Sequence, residues 1–325
     1  MKTMKVIEVG LVPVADTTRV VLVIGKFDGI HLGHQKILSA AKQSVSSMEG
    51  AELAVMSFWP HPAYVLRGKP GYDRALTPFA EKCRQLVSLG VNRLYRVRFT
   101  REFAAITAED FVRNYLSALA VNEIVVGADF RFGNGGVGDV PLLSRLLRES
   151  GVPVNVIPPV INHGEKVSSS EIRSYLATGK IEAANSLLGR PYVISGMVVH
   201  GDARGRTIGF PTANLHLSDD YVLPDGGVYA VAASVLDEGG NPGPSLYGVL
   251  NSGTRPTVDG NEFRMEVHLF DFDGDLYGRT LRVSFLHRIR DERKFESLDV
   301  LRSQIGEDVR EARRFLQKES LWISN

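Results

Sequence analysis

The segment Gly25-Lys26-Phe27-Asp28-Gly29-Ile30-His31-Leu32-Gly33-His34 contains two histidines that stand three residues apart. The apolar run Val20–Ile24 directly precedes it, so the pattern predicts a strand, a glycine turn and a helix start. Glycines let backbone N–H groups approach an anion closely, and the helix dipole adds favourable charge. Because residues three apart on a helix face the same side, His31 and His34 are predicted to bind one phosphoryl group together.

A second phosphate-binding candidate is the run Val167-Ser168-Ser169-Ser170-Glu171-Ile172-Arg173. Hydroxyl groups at a helix start, together with one guanidinium, suit the β and γ phosphates of a nucleoside triphosphate. No lysine stands in the Gly-x-x-x-x-Gly-Lys context of a P-loop, so that route to ATP is absent. For each motif taken alone, a metal-binding or helix-capping histidine pair and an ordinary serine cap are the alternative interpretations.

The histidine pair and the serine-rich run, in this order, resemble the signatures of the nucleotidylyl transferase superfamily, whose members transfer a nucleoside monophosphate with loss of pyrophosphate. Two further segments, Phe58–Pro62 and Val126–Gly133, resemble those that flank flavin and nucleotide in bacterial FAD synthetase modules. The resemblance implies that His31 and His34 are catalytic. The binding residues that it implies in this half are Gly25, Phe27, Asp28, Gly33, Asp129, Ser168, Ser169 and Arg173.

A second glycine-rich segment, Gly201–Leu215, is basic and far from P-loop spacing. It closely resembles the riboflavin kinase motif, and three later segments extend the resemblance: Gly227–Tyr229, Asn251–Thr257 and Glu266–His268. The match implies that Thr212 and Asn214 hold the Mg²⁺ of MgATP, an ion that prefers oxygen ligands. Further nucleotide-binding residues implied by it are Gly201, Arg206, Gly209, Pro211 and Asn251. A simple turn is the alternative for Pro211–Asn214 taken alone.

The two reactions implied by these resemblances differ in their need for a base. FMN already carries an ionised phosphate, so its adenylylation requires positioning and charge neutralisation. Riboflavin presents a neutral alcohol, whose proton must leave as the phosphoryl group arrives. Glu266 occupies the family's general-base position, on a predicted strand face that it shares with His268, Phe270 and Phe272. A solvent-facing strand glutamate is the alternative.

Alternating apolar runs and helical patterns in the first half predict a Rossmann-like α/β domain with a parallel sheet. The predicted strands are Val20–Ile24, Leu53–Phe58, Leu94–Phe99, Glu123–Gly127 and Val154–Ile157. The predicted helices run from Ile37 to Met48, from Thr77-Pro78 to Gly90, from a cap near Thr107, and over Leu142–Arg148. We expect residues 1–186 to form the FMN adenylyltransferase domain and residues 187–325 the riboflavin kinase domain.

The pattern changes after Gly189, where short β-rich runs separated by Gly, Pro and Asp-Gly predict an antiparallel Greek-key β-barrel. Examples are Tyr192–His200, Gly227–Leu236, Arg264–Phe272 and Thr280–Leu286. Asp273-Gly274 predicts a hairpin turn. Helical spacing from Leu298 to Leu316 predicts a terminal helix with Gly306 as a candidate break, and Lys180–Arg190 is expected to connect the domains.

Composition excludes several other functions. The chain has 38 Lys and Arg against 37 Asp and Glu, so no global field favours nucleic acid or an anionic membrane. Glu8, Asp16 and Arg19 interrupt the first apolar run, so we expect no signal peptide, and no stretch suits a bilayer. The single cysteine, Cys83, rules out an internal disulfide and a cysteine-rich zinc site, and fits the cytoplasm.

The chain thus resembles bifunctional riboflavin kinase/FAD synthetases over nearly its whole length. The resemblance implies ATP-dependent phosphorylation of riboflavin to FMN, then adenylylation of FMN to FAD. The expected partners are riboflavin, FMN, FAD, ATP, ADP and pyrophosphate, with no nucleic acid, no membrane and at most a weak homo-oligomer. Two alternatives are an enzyme acting only through its first domain, on an acceptor such as phosphopantetheine, and a flavin-sensing regulator. The barrel motifs argue against the first, and the intact catalytic residues against the second.

Overall fold

The computed structural model describes residues 3–162, 164–201, 209–257 and 260–323. The chain divides into two compact units, Met1–Ser169 and Ser170–Asn325. Arg206, one of the residues expected to bind nucleotide, lies outside the described residues, as does the rest of segment 202–208. Among the described residues, no helix combines the length and the apolar character needed to cross a membrane.

The first unit contains a six-stranded parallel sheet. Its strands are β1 (Lys5–Val9), β2 (Asp16–Ile24), β3 (Glu52–Trp59), β4 (Arg93–Arg98), β5 (Leu119–Gly127) and β6 (Val154–Ile157). They lie in the order β1-β4-β3-β2-β5-β6, and every neighbouring pair is parallel. The order reverses between β2 and β5, and ligands of such sheets bind beyond the carboxyl ends of the strands at that point.

Helices cover both faces of this sheet. They are α1 (Leu32–Ser46), α2 (Pro62–Arg67), α3 (Phe79–Ser88), α4 (Arg101–Ala104), α5 (Ala108–Asp110) with a following π-helical turn, and α6 (Val140–Leu146). Val21 and Val23 pack with Leu38 of α1, whereas Leu22 packs with Leu143 of α6. This alternation explains why β2 is buried on both sides. All five predicted strands are present, and β1 was missed because Lys5 and Glu8 interrupt its apolar pattern.

The second unit is a closed antiparallel barrel, which confirms the predicted fold. Its strands are β9 (Tyr192–Val199), β10 (Ala213–Leu217), β11 (Gly227–Val235), β12 (Leu246–Thr257), β13 (Gly260–Leu269) and β14 (Thr280–Arg290). Two shorter strands, β7 (Ile161–Asn162) and β8 (Glu165–Lys166), pair with each other in the first unit. The order β10-β13-β12-β11-β14-β9 places β14 beside β11, which is a Greek-key arrangement.

The predicted hairpin at Asp273-Gly274 is wrong. β13 pairs with β10 and β12, whereas β14 pairs with β9 and β11, so the two strands are not neighbours. A two-residue hairpin turn joins two strands that pair with each other, and β13 and β14 do not meet that requirement. The Asp-Gly pair therefore lies in a longer connection between separate positions of the barrel.

Three further helices are α7 (Ser169–Ala177), α8 (Ile181–Leu188) and α9 (Leu298–Ile323). The expected connector Lys180–Arg190 is thus largely helical, and Ile181 and Leu188 are buried. Helix α9 continues through Gly306 without the break considered from the sequence. A glycine costs a helix interior about 1 kcal/mol relative to alanine, and packing of the buried Ala312 against the barrel offsets this cost.

Candidate active sites

The turn that follows β2 is held by contacts from distant parts of the first unit. The side chains of Phe27 and Ile30 are fully buried, and both residues have positive φ angles of 50° and 43°. Such angles are uncommon outside glycine and persist where the surroundings enforce them. The hydroxyl of Ser57 and the ammonium of Lys82 both donate to the Lys26 carbonyl, at 2.9 and 3.2 Å. Side chains of β3 and α3 therefore hold the turn in place.

Lys82 places a positive charge beside this turn from the first turn of α3. Burial lowers the pKa of Lys82, although the nearby carboxylate of Asp28 opposes the shift. No sequence motif indicated Lys82, because it is one cation among several on an amphipathic helix. Its position becomes visible only once α3 is packed against the sheet.

Asp28 joins three segments of the first unit. Its buried Oδ1 accepts hydrogen bonds from the backbone N–H groups of Leu76 and Thr77, at 2.9 and 3.3 Å. Its carbonyl oxygen accepts a hydrogen bond from the Ser169 hydroxyl at 2.7 Å. The glycine turn and the serine-rich run are thus adjacent, as the predicted phosphate site requires. Arg173 follows Ser169 by one helical turn on α7 and belongs to the second unit.

The two histidines face the same side, as predicted. His31 caps α1, and its Nδ1 accepts a hydrogen bond from the His34 backbone N–H at 3.4 Å. A nitrogen that accepts a hydrogen bond carries no proton, so a neutral His31 carries its proton on Nε2, which can donate to an anion. The two rings stack with their centroids 3.8 Å apart. A Cβ atom on Gly33 would lie 3.1 Å from the His31 ring, closer than side chains normally come.

Asp129 lies just beyond the end of β5, beside the point where the strand order reverses. Its carboxylate forms a 2.5 Å ion pair with Lys166, two residues before Ser168. Burial alone would raise the pKa of Asp129, but the hydrogen bond and charge of Lys166 outweigh it and lower the pKa. Asp129 is therefore ionised and linked to the strand that leads into the serine-rich run. This places the predicted residue Asp129 at the same edge of the sheet as the turn after β2.

Three of the predicted kinase residues form one row across the barrel. Glu266 on β13 pairs directly with Asn214 on β10 and with Asn251 on β12. Side chains of directly paired residues share a face, with Cβ atoms about 4.5–5.5 Å apart. Asn251 pairs in turn with Val228, which packs with Ala312 of α9. The row therefore lies on the outer face of the barrel, beside the terminal helix.

Of the predicted magnesium ligands, Asn214 lies in β10 and Thr212 directly precedes that strand. Thr212 and Asn214 are two residues apart, so in extended backbone their oxygen-bearing side chains share a face. The Asn214 amide lies directly over Gly201, where a Cβ atom would come within 2.1 Å of its nitrogen. A hydroxyl and an amide oxygen fit Mg²⁺, which takes its remaining ligands from phosphates and water. Among the described residues, Gly209 adopts a positive φ of 86° just before this segment.

A partly buried ion pair, which the sequence did not indicate, holds the terminal helix beside the row. The Arg290 guanidinium forms two hydrogen bonds with the Asp308 carboxylate, at 2.9 and 2.7 Å. The geometry is bidentate, which fixes orientation as well as distance. His287, three residues earlier, stacks on Phe315 with ring centroids 4.6 Å apart. These contacts from the end of β14 thus position α9 against the barrel.

Comparisons with known proteins match both units. Residues 14–171 match the FAD synthetase family model and residues 188–316 the riboflavin kinase model. The chain is 42% identical over 299 residues to the bifunctional riboflavin kinase/FMN adenylyltransferase of Bacillus subtilis (strain 168), covering 91% of this chain and 92% of that protein. It is 44% identical over 296 residues to that of Escherichia coli (strain K12), with 91% and 92% covered. A crystal structure from Streptococcus pneumoniae, described as a macrolide-efflux protein, has a TM-score of 0.83 at 36% identity and covers 93% and 97% of the two chains.

Proposed function

The chain belongs to the family of bifunctional riboflavin kinase/FMN adenylyltransferases, and we propose which of its residues carry the two reactions. It phosphorylates riboflavin to FMN and adenylylates FMN to FAD. The observation that carries this conclusion is the match of one chain to both family models, in this order, with over 40% identity to named relatives along about nine tenths of its length. The adenylyltransferase corresponds to the first match and the kinase to the second.

In adenylyl transfer, a phosphate oxygen of FMN forms a bond to the α-phosphorus of ATP as the bond to pyrophosphate breaks. We assign His31 and His34 to donate hydrogen bonds to the α-phosphate, where negative charge builds up. The tautomer that capping imposes on His31 supports this assignment. The remaining assignments of this site concern binding of ATP and of the leaving pyrophosphate: Gly25, Phe27, Asp28, Gly33, Asp129, Ser168, Ser169 and Arg173.

In riboflavin phosphorylation, the alcohol oxygen forms a bond to the γ-phosphorus of ATP as ADP leaves. Glu266 takes the proton of the alcohol, and its place between Asn214 and Asn251 supports this role. Thr212 and Asn214 would hold Mg²⁺, which would neutralise charge on the phosphates. The other residues proposed to bind this nucleotide are Gly201, Arg206, Gly209, Pro211 and Asn251.

Incubation of the purified protein with riboflavin and MgATP, followed by separation of the products, tests the proposal. We expect FMN first and FAD later, together with ADP and pyrophosphate. An enzyme active only through its first unit would leave riboflavin unchanged, and a flavin-binding regulator would form no product. A parallel reaction that starts from FMN measures the adenylyltransferase alone.

A further inference from the structure

His268 lies within the kinase face but has no part in the chemistry assigned to it. It follows Glu266 by two residues on β13, so the two side chains share the outer face. β10 pairs Asn214 with Glu266 and Ala213 with Val267. The same antiparallel register carried one residue further brings Thr212 beside His268. A histidine thus adjoins one proposed magnesium ligand as the proposed base adjoins the other.

A single hydrogen bond connects His268 to this segment. Its Nδ1 lies 2.9 Å from the Pro211 carbonyl oxygen. A carbonyl can only accept, so Nδ1 carries a proton and donates it. Aromatic neighbours limit the rotation of the ring: Phe210 contacts it edge-on, with centroids 5.4 Å apart, and Phe270 lies 6.0 Å away. Phe270 is itself buried against Ala312 of α9. The imidazole, whose rotation these neighbours restrict, therefore holds the Pro211 carbonyl in one position.

The Pro211 carbonyl is in the peptide group that leads into Thr212. Proline has no backbone N–H and cannot donate to a strand ladder. The described pairing of β10 with β13 begins only at Ala213. The direction of the Pro211–Thr212 peptide is accordingly set by the side chain of His268. Mg²⁺ requires near-octahedral geometry with short bonds, so a small displacement of a ligand weakens its binding.

We propose that His268 is a positioning residue of the kinase site, whose Nδ1–H fixes the Pro211 carbonyl and thereby places the Thr212 hydroxyl for the Mg²⁺ of MgATP. The proposal rests on the proposed role of Thr212 as a magnesium ligand. His268 does not contact the reacting atoms; it acts through the peptide that it holds. Loss of a group that orients a metal ligand typically lowers metal affinity by about 10–100-fold.

Asparagine and glutamine variants test this role because they differ in where they present an amide N–H. The Asn side chain reaches about as far as Nδ1 of histidine, whereas Gln reaches about as far as Nε2. We expect His268→Gln to raise the Mg²⁺ concentration for half-maximal riboflavin phosphorylation by about tenfold or more. Calorimetry should show a similar loss in Mg²⁺-dependent binding of ADP, without any turnover. His268→Asn should restore both values to within about threefold of the wild type.

Controls separate this role from a general loss of structure. His216→Gln alters an exposed histidine of the neighbouring strand β10 and should leave both measurements unchanged. FMN adenylylation by His268→Gln should equal that of the wild type. Wild-type behaviour of His268→Gln would overturn the proposal, as would equal impairment of the Asn and Gln variants with unchanged thermal midpoints. A wild-type protein that makes no FMN would instead contradict the proposed function.

A double variant gives a second test, which does not depend on how well Asn replaces His268. If His268 acts through Thr212, its replacement should add little to the loss of Mg²⁺-dependent ADP binding that Thr212→Val already causes. Energies of residues that act on one another are not additive, whereas those of independent residues are. Additive losses in Thr212→Val/His268→Gln would show that the histidine acts elsewhere and would overturn the proposal.

Discussion

The two segments that we propose to bind phosphate are held by different kinds of contact. The turn after β2 depends on side chains from distant segments, because Ser57 and Lys82 hold the Lys26 carbonyl and Ser169 holds that of Asp28. Phe27 and Ile30 in this turn have positive φ angles, which these surroundings enforce. The conformation of this turn therefore depends on its contacts with β3, α3 and the serine-rich run.

The residues at the start of β10 depend mainly on strand register. Direct pairing sets Asn214 beside Glu266. Pro211 precedes the paired residues, and the His268 side chain holds it by a hydrogen bond to its carbonyl. The proposed chemistry differs as well, because the first site brings together His31 and His34 as proposed donors, whereas the second has the carboxylate of Glu266 in the row. An acceptor that is already ionised needs only donors and cations, and a neutral alcohol needs a base as well.

Replacing the proposed base should have the largest effect, because it should remove one of the two reactions and leave the other. We expect Glu266→Ala to lower riboflavin phosphorylation by about 10²–10⁴-fold, the usual contribution of a general base. FMN adenylylation by the same protein should be unchanged, and Glu238→Ala in an exposed loop serves as the matched control. Product chromatography of the two reactions measures both activities. A wild-type kinase rate would show that Glu266 is a surface strand residue.

The corresponding change in the first site removes a donor. His31→Ala or His34→Ala should lower FMN adenylylation by about 10²–10³-fold, because charge that builds on the α-phosphate loses a hydrogen bond. Riboflavin phosphorylation should continue at the wild-type rate. If both activities fell equally, the histidines would support folding or a shared site, and the two chemistries would not be separate.

Features that depend on spacing within one helix or strand could be predicted from the sequence. The shared face of His31 and His34 follows from helix geometry, and that of Thr212 and Asn214 from strand geometry, since both depend on spacing within one element. The neighbours of Glu266 on β10 and β12 depend on a strand order that no local pattern encodes.

Contacts between distant segments were missed for the same reason. Lys82 and Ser57 meet the Lys26 carbonyl only after helix and sheet are packed, so neither residue has a sequence signal for this role. The error at Asp273-Gly274 has a related cause, because a turn-forming dipeptide predicts a bend but not which strands the bend connects. Family resemblance supplied the residue roles, and the fold supplied the neighbours.

Lys82 donates a hydrogen bond to the Lys26 carbonyl, so replacing it tests whether a cation beside this turn supports adenylylation. A hydrogen bond from a charged group contributes about 1.5–3 kcal/mol, so Lys82→Met should lower the rate of adenylylation by about tenfold or more. Lys82→Arg keeps the charge and should retain most activity. Lys42→Met, at an exposed position of α1, is the matched control.

The pH dependence of adenylylation gives a second measurement. Burial lowers the pKa of Lys82, so its positive charge is present at low pH and is lost earlier than that of an exposed lysine as pH rises. The wild-type rate should therefore decline on the alkaline side, and Lys82→Arg should delay that decline. An identical alkaline limb in both proteins would show that another group controls it.

The smallest catalytic effect is expected from separating the units. Residues 187–325 contain Thr212, Asn214 and Glu266 but neither of the histidines proposed to be catalytic, so this fragment should convert riboflavin to FMN and make no FAD. The packing of α8 on the barrel adds a condition. Within the second unit, the Asn185 side chain donates to the Phe285 carbonyl and accepts from the Tyr192 backbone N–H.

A fragment that begins at Ser170 retains α8, whereas one that begins at Leu187 loses the buried Ile181 and the Asn185 hydrogen bonds. Burial of one such apolar side chain contributes about 1.5–3 kcal/mol, and each lost hydrogen bond about 1 kcal/mol. We therefore expect fragment 187–325 to be less stable than fragment 170–325 by about 4 kcal/mol in urea unfolding. Both should have the full-length kinase rate under conditions in which they are folded. If fragment 170–325 folds but lacks kinase activity, the first unit contributes to the second reaction, and the contrast between two independent sites fails.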